Sequence, residues 1–334
     1  MKIENHIIIA GTMKSGTTNL YNTLIKHRNI SDPRIKEPHF FSLDTQTIKD
    51  QWNWYINNLN IQKRSIYSID ATIYYFNSLR AIKNIKKYVA NPKIIILIRD
   101  PAKRIFSHYN HLIKDKDLKI EHRLFNEIVN LDFVVEDYEK LLQFENKKII
   151  QAINEEKVFE DYYGINYLRG YCRANFDSNF EDKNRIYKYF QNTIYSRFVE
   201  AYENEFPNLV KVIIFEEYIN NPKEILSEVL EFLNLSTDGI PLLKPSLKQN
   251  KTYIPKNRFF NNIINIYESS KLLQTYVHLL KKYGLNNMIS SFKKSLIISP
   301  KISESDYEKI RKILYKEYQY WSKKNPKITK YWLY

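Results

Sequence analysis

The residues best suited to chemistry lie in a polar loop near the amino end, which reads Gly-Thr-Met-Lys-Ser-Gly-Thr-Thr over residues 11–18. Hydroxyl groups, a lysine ammonium and the backbone N–H groups of a glycine-rich turn all bind anions. If a helix begins within this loop, its first N–H groups have no intrahelical acceptor, and its dipole adds partial positive charge at the same point. The loop therefore predicts a site for a phosphate or sulfate group.

The residues on either side predict a strand before this loop and a helix after it. Ile7, Ile8 and Ile9 form a β-branched run typical of a strand buried on both faces, whereas Leu20 and Leu24 recur at helical spacing. A Walker loop places its lysine directly after the second glycine, but here the lysine is moved to mid-loop. This departure disfavours a magnesium-bound triphosphate as the ligand of the loop. The alternative to an anion site is a polar strand-to-helix turn that binds nothing.

A second strand-to-helix junction carries arginine and serine side chains. Residues 93–99 read as a buried strand ending at Arg99, and Asp100 is suited to cap a helix that begins at Pro101. Arg104 and Ser107 are three residues apart and therefore share a helix face. A planar guanidinium fork beside a hydroxyl suits a fixed phosphate, and an exposed arginine pair with solvent counterions is the alternative.

A third candidate segment holds a carboxylate and an imidazole, the two commonest general bases. Pro33 and Pro38 exclude a helix, so Lys36, Glu37 and His39 lie close together in an extended or looped segment. The alternative is a surface connector whose charges are solvated. Beside the anion loop, the segment becomes a candidate wall of the same site.

Composition bounds the class of protein. The 334 residues, 43% of them hydrophobic, suffice for a sizeable core, and a formal charge of +15 favours nucleic acid, anionic lipid, anionic polysaccharide or a charged nucleotide as partner. Cys172 is the only cysteine, which excludes an intramolecular disulfide and a cysteine-based zinc site. Because no leader pattern and no run of about 18 apolar residues occurs, we expect a cytoplasmic protein without a transmembrane segment.

The order of the remaining patterns predicts the fold class. Strand patterns at residues 65–76, 93–99 and 209–215 alternate with helical patterns at 52–59, 79–89, 186–205, 221–233, 261–283 and 303–323. Alternating strands and helices favour an α/β fold, a P-loop-like three-layer α/β/α sandwich with a central, mostly parallel sheet. No linker divides the chain, so we predict a single domain over residues 1–334.

In combination, these motifs resemble sulfotransferases that use 3′-phosphoadenosine 5′-phosphosulfate (PAPS), most closely the carbohydrate type that includes heparan sulfate 3-O-sulfotransferases. Three segments carry the resemblance: the 5′-phosphosulfate loop, the 3′-phosphate motif and the segment with the catalytic glutamate. They correspond here to Lys14-Ser15-Gly16-Thr17-Thr18, to Arg99-Asp100-Pro101 with Arg104, Ser107 and Tyr109, and to Lys36-Glu37-Pro38-His39-Phe40-Phe41.

The resemblance implies a role for each matching residue. Glu37 would be the catalytic base with His39 as runner-up, and Lys14 would stabilise the leaving phosphate. The predicted PAPS ligands are Lys14, Ser15, Gly16, Thr17, Thr18, Arg99, Ser107 and, in a late basic loop, Lys256 and Arg258; the predicted substrate contacts are Lys36, Asp70, Tyr74 and Arg169. The nucleotide product would be the bisphosphate PAP, and the acceptor would be a saccharide or polysaccharide. The resemblance implies that neither a metal ion nor a nucleic acid takes part.

Two departures from the family concern the acceptor side. Asp70-Ala71-Thr72 stands where the animal carbohydrate enzymes have an acidic residue, a lysine and a threonine, and their cysteine-bearing loop is missing. A P-loop kinase or NTPase and a non-catalytic polyanion-binding protein are the competing functions. The first would need ATP and magnesium, and the second would show salt-dependent binding without sulfate transfer.

Overall fold

The larger sheet in the described part of the chain consists of four parallel strands. A computed structural model describes residues 2–114, 125–130, 189–190, 192–237, 254–255, 266, 270–283, 288, 291, 297–298 and 301–332. The strands are β1 (Ile3–Gly11), β2 (Ser68–Asp70), β3 (Val89–Ile98) and β4 (Val210–Ile214), in the order β2-β1-β3-β4. The central strands β1 and β3 are the isoleucine-rich runs that the sequence predicts to be buried.

The described helices cover both faces of this sheet. They are α1 (Thr17–Leu24), α2 (Thr45–Asn58), α3 (Leu79–Tyr88), α4 (Pro101–Lys114), α5 (Phe125–Asn130), α6 (Tyr195–Glu205), α7 (Phe215–Asn220), α8 (Pro222–Phe232), α9 (Lys271–Lys282), α10 (Glu304–Ile313) and α11 (Tyr315–Lys324). Short 3₁₀ turns occur at Phe40–Ser42, Ile73–Tyr75 and Pro326–Lys330, and β5 (Ile254–Pro255) pairs antiparallel with β6 (Ile297–Ile298). None of the helices in the described ranges has the length and apolarity to cross a bilayer.

Successive side chains of the central strands point to opposite faces of the sheet and contribute to two separate hydrophobic cores. Ile7 and Ile9 pack with buried side chains of α1 and α8, whereas Ile8 packs with buried side chains of α2, α3, α4 and α6. Helices therefore lie on both sides of the sheet. The α/β fold with a central parallel sheet is confirmed.

Two strand boundaries differ from the prediction. The strand expected over residues 65–76 is only Ser68–Asp70, because the chain turns into a 3₁₀ helix at Ile73. The third strand begins at Val89 rather than at Lys93, because Ile3 of β1 already pairs there. Residues 89–92 are thus strand, where the sequence pattern predicted the end of a helix.

Two predicted helices also have different bounds. The helix expected over residues 186–205 is interrupted, since residues 189–190 are helical and residues 192–193 form a turn. A new helix begins at Tyr195, where the carboxylate of Glu317 accepts hydrogen bonds from the Tyr195 and Ser196 amides at 3.1 and 3.2 Å. A carboxylate in this position caps a new helix N-terminus. The stretch over residues 303–323 divides at Leu314 into α10 and α11.

Candidate functional site

The two basic motifs predicted from the sequence meet at the carboxyl ends of β1 and β3. The Nη1 atom of Arg99 donates a hydrogen bond to the backbone carbonyl of Lys14 at 3.0 Å. In open α/β sheets, ligands bind at this edge. The glycine-rich loop and the arginine junction therefore form one site, as binding of a single anionic molecule by both requires.

Hydrogen bonds within the loop determine which of its amides face a ligand. The Thr12 hydroxyl donates to the Leu97 carbonyl at 2.9 Å and lies 2.7 Å from the Ser15 hydroxyl, while the Ser15 amide donates to the Thr12 carbonyl at 3.2 Å. Ser15 thus braces the loop internally. The amides of residues 16–18 have no acceptor within the described part of the chain, and they begin α1. These three N–H groups are therefore available as donors, and their binding of an anion stays a prediction.

Gly16 is required for the shape of this loop. Its φ of +87° lies in the left-handed region, and a Cβ atom built there would be 2.9 Å from two ring atoms of Phe215. The guanidinium of Arg99 lies over the same ring, 4.8 Å from its centroid. Phe215, the first residue of α7, therefore packs against both motifs.

Arg99 is held in place by neighbours that leave part of its fork accessible. Its side chain is 23% exposed, and the nearest carboxylate oxygen, of Glu216, is 4.0 Å from Nε. Glu216 accepts hydrogen bonds from the Asp100 amide and the Trp332 indole, each at 3.1 Å. Burial lowers the pKa of Arg99 and raises that of Glu216. A phosphate at Arg99 would add the negative charge that this partly desolvated guanidinium favours.

Arg104 has a different environment from Arg99. It is fully buried, its Nε donates to the Thr193 hydroxyl at 2.9 Å, and its Nη2 donates to the Tyr189 carbonyl. Burial lowers its pKa to about 10. The interpretation of an exposed arginine pair is therefore wrong. The prediction that the Arg104 guanidinium meets a phosphate beside Ser107 does not hold either, because this buried side chain joins α4 to the segment before α6. Ser107 is half-buried on α4, and its contact with a phosphate stays a prediction.

The three residues predicted to be catalytic share an unusual backbone conformation. Lys14, Glu37 and His39 have φ angles of 68°, 61° and 57°. The other described non-glycine residues with positive φ are all asparagines, which tolerate this region. Each such residue costs on the order of 1–3 kcal/mol, a strain that concentrates at active sites.

Glu37 is accessible, whereas His39 is not. The Glu37 carboxylate contacts the Lys36 ammonium, and the two side chains are 24% and 23% exposed. His39 is buried beside Tyr74, with ring centroids 5.4 Å apart. Burial and the charge of Lys36 lower the pKa of His39 to about 4. His39 is thus a buried, neutral imidazole at pH 7, and the partly exposed carboxylate of Glu37 is the better placed of the two to meet an acceptor group.

A buried polar network beside the site was not predicted from the sequence. The Asp70 carboxylate accepts hydrogen bonds from the hydroxyls of Tyr55 and Tyr75, both at 2.8 Å, and of Thr72 at 2.7 Å. The Tyr55 hydroxyl is 3.0 Å from Nε2 of His6. Burial raises the pKa of Asp70 to about 6. Asp70 is thus part of the scaffold under the site, and its contact with substrate stays a prediction.

Network members reach the proposed catalytic segment directly. The Thr72 hydroxyl accepts a 3.4 Å hydrogen bond from the His39 amide, and the Tyr75 hydroxyl accepts one from the Phe41 amide at 3.1 Å. Two sequence features pointed toward this network: the polar His6 directly before the isoleucine run of β1, and Asp70 in the next strand pattern. Arg169, Lys256 and Arg258 lie outside the described residues, and the described residues contain no group of three potential metal ligands.

Because two histidines are buried, we expect the free energy of unfolding to contain a contribution that falls in acid. Burial lowers the pKa of His6 to about 3 and that of His39 to about 4, from a usual value of 6.5. Below pH 6.5 both imidazoles are therefore protonated in the unfolded chain, whereas in the folded protein they stay neutral until their lowered pKa values are reached. Asp70 acts with opposite sign between pH 6 and 3.8, since its pKa is higher in the fold than in the unfolded chain. For these three groups the net is one proton, so we expect their combined contribution to the free energy of unfolding to fall by about 1.4 kcal/mol per pH unit from pH 6 to 4.

Urea unfolding at several pH values measures this slope. His39→Gln removes one group that is protonated in the unfolded chain but not in the fold. The slope of the free energy of unfolding against pH should therefore be smaller in this variant than in the wild type, by about 1.4 kcal/mol per pH unit in the same window. An unchanged slope in His39→Gln would show that its imidazole is protonated in the fold at the same pH as in the unfolded chain.

Comparisons with known proteins agree with the residue-based resemblance. The family model described as "Sulfotransferase domain" matches residues 4–257. The chain is 23% identical over 280 residues to "Membrane-associated sulfotransferase kil1" of Dictyostelium discoideum, a match that covers 72% of this chain and 58% of that protein. It is 28% identical over 116 residues to "Bifunctional heparan sulfate N-deacetylase/N-sulfotransferase 1" of Caenorhabditis elegans, covering 33% of this chain and 13% of that protein.

A solved structure supports the fold. The sulfotransferase from Alicyclobacillus acidocaldarius aligns with a TM-score of 0.50 and 21% identity over 83% of this chain and 97% of its own. At this identity the likeness shows a shared fold. The matched region spans less than two thirds of the length of either relative named above.

Proposed function

Because the chain belongs to the sulfotransferase domain family, we propose that it transfers a sulfuryl group from PAPS to a hydroxyl or amino group of a saccharide. The observation that carries the proposal is the hydrogen bond from Arg99 to the Lys14 carbonyl, which joins two anion-binding motifs in one site. The named activity of the heparan sulfate relative supports a saccharide acceptor.

The residues of the joined site fit such a donor. When bound, PAPS supplies an activated sulfuryl group whose transfer leaves PAP. The amides of residues 16–18, which have no acceptor within the described chain, would hold the 5′-phosphate. Arg99 and Ser107 would hold the 3′-phosphate. Lys14 would stabilise the negative charge that develops on the leaving oxygen, a role for which its fixed backbone position is suited.

Glu37 would act on the acceptor. As the new bond to sulfur forms and the bond to the leaving phosphate oxygen breaks, the acceptor group loses a proton, which the Glu37 carboxylate takes. The Lys36 ammonium contacts that carboxylate and fixes its position. His39 is buried, and burial lowers its pKa to about 4, so this side chain would contribute packing within the segment.

Thermal denaturation in the presence of candidate nucleotides tests the donor. PAP at about 100 times its Kd should stabilise the fold by about 2.7 kcal/mol, and ATP with magnesium should stabilise it less. Incubation with labelled PAPS and a panel of saccharides then tests transfer. Stronger stabilisation by ATP with magnesium would indicate a kinase or NTPase, and salt-dependent binding of anionic polymers without transfer would indicate a polyanion-binding protein.

A further inference from the structure

A basic pocket of about 550 Å³ lies at the end of α1 remote from the glycine-rich loop. Its walls come from residues 25–32, which follow α1, and residues 60–65, which precede β2. Four cationic side chains line it, those of Lys26, Arg28, Lys63 and Arg64, against the single carboxylate of Asp32. The pocket is therefore a concave surface of net positive charge, apart from the site described above.

In the described residues, these two lysines and two arginines have no carboxylate partner, unlike several lysines elsewhere. None of their side chains forms an ion pair or hydrogen bond within the described part of the chain, whereas Lys36, Lys86, Lys211, Lys324 and Lys327 each contact a carboxylate. Like charges on one concave surface, opposed among its lining residues by a single carboxylate, raise the local potential and attract anions.

Hydrogen bonds between the two walls hold the pocket in its shape. The Asn60 amide group donates to the Asp32 carbonyl at 2.9 Å, and the Asn29 amide group donates to the Arg64 carbonyl at 3.1 Å. A parallel bridge between Ile30 and Tyr67 also joins the two segments. Because these contacts fix the two walls relative to each other, a ligand binds there with little cost of ordering them.

The pocket is connected to the proposed catalytic segment by the chain itself. Asp32 lines the pocket, and Glu37 follows it by five residues, a separation of at most about 18 Å. The Lys36 ammonium lies 5.8 Å from the centroid of the Tyr21 ring on α1. The segment that joins Asp32 to Glu37 therefore passes beside this helix. An extended ligand of a few sugar units is long enough to reach from the pocket to Glu37.

We propose that this pocket binds carboxylate or sulfate groups of an anionic sugar chain, another unit of which is presented to Glu37. The proposal rests on the proposed function and adds the charge and the length of the acceptor. Several cations spread around an open pocket match a chain with charges on successive rings, whereas a single compact anion would contact few of them.

Calorimetry with a heparin-derived octasaccharide, at saturating PAP, tests the proposal. The pocket variant is Lys26→Gln with Lys63→Gln. Its control, Lys49→Gln with Lys83→Gln, makes the same charge change at exposed lysines of α2 and α3 that also have no ion pair in the described chain. We expect at least tenfold weaker binding by the pocket variant and less than twofold by the control, with PAP affinity equal in all three proteins.

The outcomes separate this proposal from the proposed function. Equal weakening by the two variants would overturn it, because binding would then follow net charge alone. Failure of the wild-type protein to bind the octasaccharide while PAP still binds would also overturn it and leave the donor assignment intact. Failure of PAP to bind would overturn the donor assignment, and selective weakening by the pocket variant would still support the pocket.

Discussion

Replacing Glu37 with glutamine is expected to lower the rate of sulfuryl transfer by about 10² to 10⁴-fold while leaving PAP affinity unchanged. Glutamine keeps the size of the side chain and its contact with the Lys36 ammonium, but it does not accept a proton at neutral pH. The Glu37 side chain is accessible, so it is positioned to meet an acceptor group. Single-turnover transfer from labelled PAPS measures the rate, and calorimetry with PAP measures the affinity.

A matched variant controls for the loss of a lysine–glutamate pair. Glu228 pairs with Lys211 at 3.0 Å on α8 and β4, away from the site, so Glu228→Gln removes a similar pair without touching the acceptor. This control should transfer at the wild-type rate. Undiminished transfer by Glu37→Gln would remove Glu37 from the mechanism, and a large loss in His39→Gln alone would assign the base to His39.

The sequence predicts the centre of the fold because central strands and site loops carry strong local signals. The isoleucine runs before Gly11 and before Arg99 have no polar face, and such runs occupy the middle of parallel sheets. Polar residues that follow such strands meet at one edge of the sheet. That topological rule brings Lys14 and Arg99 together although 85 residues separate them along the chain.

Contacts that depend on tertiary packing were not predictable in this way. The hydrogen bond between His6 and Tyr55 joins positions 49 residues apart, and no local pattern specifies it. Pro33 and Pro38 exclude a helix but do not predict that Glu37 and His39 take left-handed backbone angles. Those angles depend on the surrounding structure, including the hydrogen bond from the His39 amide to Thr72.

Loss of Arg99 should weaken PAP binding by about 10- to 100-fold, the effect of removing a hydrogen bond to a charged group, about 1.5–3 kcal/mol. Two physical effects contribute in Arg99→Ala. The guanidinium would no longer contact the 3′-phosphate, and the Lys14 carbonyl would lose the donor that braces the loop. Isothermal titration of PAP into the wild-type protein, Arg99→Ala and Arg99→Lys gives the affinities, with thermal denaturation to confirm that each variant folds.

Titration with adenosine 5′-monophosphate separates these two effects, because this ligand lacks the 3′-phosphate. If Arg99 contacts that phosphate, the ratio of PAP affinity to monophosphate affinity should fall in Arg99→Ala, where Ser107 is left as the predicted contact. It should partly recover in Arg99→Lys, which restores the charge without the fork. If Arg99 acts only through the Lys14 carbonyl, both ligands should weaken by the same factor and the ratio should stay at its wild-type value. Unchanged PAP affinity in Arg99→Ala would contradict both the contact with the 3′-phosphate and the bracing of the loop through the Lys14 carbonyl.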